Sequence, residues 1–86
     1  MIYKVLFKKS AAKELAALSA VEALKVRNAI AQPADNPRPE GVKKLKGSIE
    51  PLWRIRIGNY RVIYAIDDII RIVEIRNVGD RNDIYR

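Results

Sequence analysis

Residues Leu52–Asp68 read LWRIRIGNYRVIYAIDD, two alternating apolar runs broken by a single Gly-Asn pair. Gly58-Asn59 has the composition of a two-residue hairpin turn, because such turns need positive φ, which glycine and asparagine tolerate best. With that turn fixed, Ile57 lies opposite Tyr60, Arg56 opposite Arg61, Ile55 opposite Val62 and Arg54 opposite Ile63. Directly opposed residues share a face. One face therefore carries Trp53, Ile55, Ile57, Tyr60, Val62, Tyr64 and Ile66, and the other carries Arg54, Arg56 and Arg61. The apolar face has to be covered, which demands helices or a second sheet.

Downstream, Asp67-Asp68 reads as a second, weaker two-residue turn into a strand at Ile69–Val78. Extending the register through it sets Glu74 opposite Arg61. Upstream, Val42–Leu45 reads as a short strand ended by Gly47-Ser48, and PADNPRPEG, with Pro33, Pro37 and Pro39, as a connecting loop. Ahead of it lie two helical patterns. Ser10 is placed to cap a short helix with Ala11, Ala12, Leu15 and Leu18 along one stripe. Ser19, followed three residues later by Glu22, forms a capping-box signature for a second helix whose inward stripe is Ala23, Val26 and Ile30. At the start, Tyr3, Val5 and Phe7 alternate with Ile2, Lys4, Leu6 and Lys8, the period of a strand. The expected architecture is α+β: an N-terminal strand, a two-helix hairpin, then an antiparallel β-meander with the helices packed on one sheet face. At 86 residues, the chain is expected to form one domain, residues 1–86.

The formal net charge of +7 in so small a chain points to a polyanionic partner, nucleic acid or an acidic protein. Cysteine is absent, which excludes disulfides and thiolate metal sites and leaves the cytoplasm as the expected compartment. The N-terminus does not read as a secretory signal, and no apolar run is long enough for a membrane span. Histidine is absent too, excluding the triads built on it and the usual general base.

Two arginines directly across a hairpin repel each other unless something compensates them. A phosphate would do so, since each guanidinium can donate two parallel hydrogen bonds to it and stays charged at physiological pH. The other compensation would be a salt bridge from Glu74 to Arg61. Arginine is a poor proton shuttle, so a phosphodiester cleaver would need a titratable partner from elsewhere. The C-terminal NVGDRNDIYR offers Asp80, Arg81, Asp83 and Tyr85. A tyrosine with an unperturbed pKa near ~10 becomes a usable base where neighbouring arginines stabilise its phenolate.

Taken together, KKLKGS, LWRIRIGNYRVIYAIDD and IVEIRNVGDRNDIYR, in this order, resemble the RelE toxins of the RelE/ParE superfamily over almost the whole chain. That resemblance implies a ribosome-dependent endoribonuclease that cuts messenger RNA in the decoding site, by attack of the ribose 2′-hydroxyl on the adjacent phosphate without metal or other cofactor. It puts the family's two basic strand residues on Arg54 and Arg56, its hairpin arginine on Arg61, its C-terminal arginine on Arg81 and its tyrosine base on Tyr85. Lys44 and Lys46 would bind RNA backbone. Two departures are visible: arginine stands at 54 and 56 where family members often have lysine, and Asp80 where a basic residue or histidine is common. A cognate antitoxin is implied as partner, with the toxin otherwise monomeric. The alternative on the same fold is a ParE-type inhibitor of a topoisomerase. A third reading is a basic binding module with no toxic activity.

Overall fold

A computed structural model describes residues 3–38, 42–47 and 49–80. Strand β1 (Lys4–Phe7) leads into helices α1 (Lys9–Ala16) and α2 (Ala20–Asp35). Strands β2 (Lys43–Lys44), β3 (Trp53–Ile57), β4 (Tyr60–Asp67) and β5 (Ile72–Asp80) follow. They make one five-stranded sheet in the order β1-β5-β4-β3-β2. β1 runs parallel to β5, and all other neighbours are antiparallel. The α+β expectation holds, with the sheet mixed because β1 joins the far edge of the meander.

The β3–β4 register matches the Gly58-Asn59 reading pair for pair, from Trp53 opposite Tyr64 to Ile57 opposite Tyr60. Gly58 adopts φ 57°, the left-handed conformation that a side chain would strain. The helices cover the apolar face. Val62, Tyr64, Val73 and Ile75 have no exposure and pack with Ala11, Leu15, Val26 and Ile30, while Trp53, Ile57, Tyr60 and Ile66 close the margins. Each fully buried aliphatic side chain here contributes about 1.5–3 kcal/mol relative to exposure, and together they pin the opposite face outward.

Four local expectations are corrected. The β4–β5 connection is a four-residue turn over 68–71, not the pair Asp67-Asp68, and β5 begins at Ile72. The Asp67 carboxylate accepts from the backbone N–H groups of Ile69 and Ile70, and Arg71 adopts φ 57°, which together set the longer turn. Second, β5 carries a bulge: Ile63 pairs with Asn77 but Tyr64 with Ile75, leaving Arg76 as the extra residue. The bulge lets both Ile75 and Val78, three residues apart, face the core. Third, Lys8 rather than Ser10 occupies the cap of α1 and makes no side-chain capping bond. The helix starts early because Lys8 N–H is fixed to the Ile75 carbonyl, 2.9 Å away, as the chain leaves the sheet. Leu18 falls beyond that helix but still packs on the core. Fourth, α2 continues through Pro33 to Asp35. Pro33 and Ala34 are buried, and this apolar burial offsets the one helical hydrogen bond that proline forfeits near the helix end. The Ser19 cap is as expected, its Oγ accepting from Glu22 N–H at 3.2 Å.

Candidate functional site

The face of the sheet away from the helices gathers Arg54 and Arg56 from β3 and Arg61 from β4, as the hairpin register requires. Arg56 stands directly opposite Arg61, and Arg54 opposite Ile63. Burial separates the three. Arg54 is 9 % exposed and Arg61 7 %, whereas Arg56 is open to solvent. The Nε atoms of Arg54 and Arg61 are shielded from water, so these stems are held in place and only part of each guanidinium reaches the surface. Gly79 lies opposite Arg61 on β5 and places no side chain beside it.

The expected cross-strand bridge from Glu74 to Arg61 does not form. The longer turn and the bulge move Glu74 opposite Ala65, where it accepts from Nε of Arg76. Arg76 also bonds Glu50 with both terminal nitrogens, one at 3.1 Å, and this pairing holds the Glu50 carboxyl below its ordinary range. Since Glu50 belongs to the β2–β3 loop and Arg76 to β5, that loop lies across the open face. The two carboxylates thus gather around Arg76. Asp80 pairs with Tyr60, so the register puts it on the opposite side of the sheet from Arg61.

Of the two lysines expected to meet RNA, both are exposed, but Lys44 stands opposite Trp53 and so does not share the arginine face. Lys46 follows β2. Lys43, which sequence reasoning passed over, is the residue opposite Arg54. Arg81 and Tyr85 lie outside the described residues.

A second polar cluster braces the site from behind. Tyr64, with no exposure, donates to the carbonyl of Pro37 at 2.7 Å, and burial pushes its phenol up to about 12. Arg38 next to it makes two bonds to Asp68, at 2.9 and 3.3 Å, and sits 5.1 Å from the centre of the Trp53 ring. The Tyr3 hydroxyl donates to the same carboxylate at 2.7 Å. With Arg38 as the main cause and Tyr3 second, Asp68 is held down to about 2. These contacts tie the α2–β2 connection to the β4–β5 turn and to β3. Among the described residues, no group of histidine, cysteine, aspartate or glutamate side chains is arranged to hold a metal ion. No helix there is long and apolar enough to cross a membrane.

Residues 5–85 match the family model described as the ParE toxin of the type II toxin-antitoxin system parDE. The chain belongs to the RelE/ParE toxin superfamily. Within the superfamily it is of the RelE type. It is 35 % identical over 91 residues to the putative toxin RelE1 of Methanocaldococcus jannaschii, an alignment covering all of this chain and 98 % of that protein. Toxin RelE of Mycobacterium tuberculosis is 44 % identical over 52 residues, which span 60 % of this chain and 53 % of that protein. The fold agrees. The RelE–RelB complex of Pyrococcus horikoshii contains a chain that matches with a TM-score of 0.80 at 28 % identity, covering 94 % of this chain and 97 % of that one. The toxin–antitoxin complex RelBE2 of Mycobacterium tuberculosis gives 0.81 at 28 % identity, covering 94 % and 100 %.

Proposed function

We propose that this RelE-type toxin is a metal-independent endoribonuclease that cleaves messenger RNA on the ribosome, with the arginine face as its phosphate clamp. The observation that carries this reading is the pair Arg56 and Arg61, directly opposed on one face, with Arg54 beside them. Each guanidinium can donate to non-bridging oxygens of a scissile phosphate. Partial burial of Arg54 and Arg61 fixes their aim before substrate arrives, so little reorganisation is needed as charge develops in the transition state.

In the reaction, the ribose 2′-oxygen forms a bond to phosphorus while the bond to the 5′-oxygen of the next nucleotide breaks. The products are a 2′,3′-cyclic phosphate and a free 5′-hydroxyl. Tyr85 takes the 2′-hydroxyl proton as base. Arg61 and Arg81 stabilise the added negative charge, Arg81 hydrogen-bonds the departing 5′-oxygen while a proton from solvent converts it to the hydroxyl, and Arg54 and Arg56 orient the phosphate. Losing one transition-state donor of this kind costs roughly a hundredfold or more in rate. Lys44 and Lys46 contribute backbone contacts outside the chemistry. The protein acts in the cytoplasm as a single domain of residues 1–86, and its cognate antitoxin holds it inactive. Solved relatives found in RelE–RelB complexes, and the basic surface of this chain, support that partnership.

The matching family model is that of a ParE toxin, which keeps open the one other reading, a ParE-type inhibitor that acts by binding a topoisomerase. Mapping 5′ ends of translated messages after brief induction separates the two. Cleavage by the wild type that disappears in Arg61→Ala and Tyr85→Phe supports the ribonuclease. Intact messages together with blocked supercoiling support the inhibitor.

A further inference from the structure

We propose that Glu14, on helix α1, is a positioning residue for the cleavage reaction: by holding the backbone of β5 at Val78, it sets the register from which the chain enters its catalytic tail. This rests on the ribonuclease reading and deepens it, because that reading draws Arg81 and Tyr85 from the residues that follow β5.

β5 outlasts the strand beside it. β1 pairs with it only from Ile72 to Ile75, closing where the Lys8 N–H meets the Ile75 carbonyl, whereas β5 runs on to Asp80. Beyond Ile75, no strand among the described residues pairs with this outer edge. A backbone N–H left there beside a buried side chain still needs an acceptor. Helix α1 brings one. Glu14 Oε1 accepts from the Val78 N–H at 2.9 Å, joining residues 64 positions apart in the sequence. Val78 is buried and Glu14 half-buried, so the bond is sheltered from competing water. A carboxylate acceptor also makes it stronger than a neutral backbone pair.

The bond falls where register matters. The bulge at Arg76 interrupts the β4–β5 ladder, and a slip of one residue after it would turn every later side chain to the other face of the sheet. Val78 pairs with Val62, and the next residue, Gly79, with Arg61. Glu14 therefore fixes the chain one residue from the position facing the clamp arginine, and three before Arg81 and seven before Tyr85 in the sequence. A misplacement of about 1 Å can cost on the order of a hundredfold in rate, so a tether from the helical layer bears on chemistry that it does not touch.

The test is single-turnover cleavage of messenger RNA on translating ribosomes over a range of toxin concentrations, at a temperature where each variant keeps its native fold. Glu14→Ala should lower the maximal rate about ten- to a hundredfold, with the half-saturating concentration within about twofold of wild type. Glu14→Leu, which fills the same space without an acceptor, should match Glu14→Ala and carries the prediction should the alanine variant not fold. Glu14→Gln keeps an accepting oxygen and should restore the rate to within about threefold of wild type. Glu22→Ala, which removes a carboxylate paired with Lys25 on α2, should leave the rate unchanged. A purely structural bond would lower the melting temperature and speed amide exchange at Val78 without moving the maximal rate, and that outcome overturns the proposal. So does a loss in Glu14→Gln equal to that in Glu14→Ala. If the wild type cleaves no message on the ribosome, the ribonuclease reading falls and the positioning role with it.

Discussion

Replacing Tyr64 with phenylalanine removes one oxygen and leaves the rest of a fully buried side chain in place. The ring still fills its position among Val62, Val73 and Ile75, so no cavity opens. What is lost is the 2.7 Å bond to the Pro37 carbonyl, which stays in a buried residue with its acceptor unsatisfied. Removing one partner of a buried pair costs about 1–3 kcal/mol. For a domain of this size, each kcal/mol lowers the melting temperature by roughly 4–8 °C. The bond is also an anchor: Pro37 precedes Arg38, and the chain then runs to β2 and Lys43. Tyr64→Phe should therefore reduce stability in urea titration by about 1–3 kcal/mol at unchanged m-value. It should also speed amide exchange at Lys43 and Lys44 more than in β4. A loss under about 0.5 kcal/mol, the range of an ordinary surface change, would refute the assignment of this hydroxyl as the tie between core and loop.

Three further outcomes follow from other contacts. Asp68 is held to about 2 in the folded chain and titrates near ~4 when unfolded. Its contribution is therefore present above about pH 4 and lost as pH falls through about 2; melting temperature against pH should be flatter over that window in Asp68→Asn than in wild type, and parallel curves would contradict the clasp with Arg38 and Tyr3. Ser19→Ala should cost about 0.5–2 kcal/mol through the lost cap of α2, read by denaturant titration, whereas Ser10→Ala, at a position that caps nothing, should fall well below it. Gly58→Ala puts a side chain at φ 57° and should cost about 1–2 kcal/mol; an unchanged midpoint would show that the hairpin turn relaxes freely.

How much was readable beforehand depended on whether the controlling contact was local. The hairpin was, because Gly58-Asn59 and two alternating runs fix each other's register without help from the rest of the chain. From that alone Arg54, Arg56 and Arg61 fell on one face. The β4–β5 register departs from the simple hairpin extension, and the sequence carries a signal of it: Val73 and Ile75 keep step, but the next large apolar residue is Val78, and only a bulge brings both Ile75 and Val78 inward. Asp67 looked like half of a two-residue turn because its carboxylate bonds to Ile69 and Ile70 lie within the turn itself. Pro33 looked like a loop residue because burial of its ring against the core is a tertiary gain that a local rule does not contain. That Lys43 rather than Lys44 stands opposite Arg54 depends on how the β2–β3 loop returns the chain to β3. That length of irregular chain sets parity, and nothing in its composition announces it.

The central claim is that opposed arginines on the β3–β4 hairpin clamp a phosphate that is then cleaved. The most direct measurement is single-turnover cleavage of messenger RNA on purified translating ribosomes, comparing wild type with Arg61→Ala and with Arg76→Ala, an arginine on β5 that is engaged by Glu50 and Glu74. The account predicts a rate reduced roughly a hundredfold or more for Arg61→Ala, at retained fold, and a rate within several-fold of wild type for Arg76→Ala. Cleavage by Arg61→Ala at the wild-type rate would contradict it.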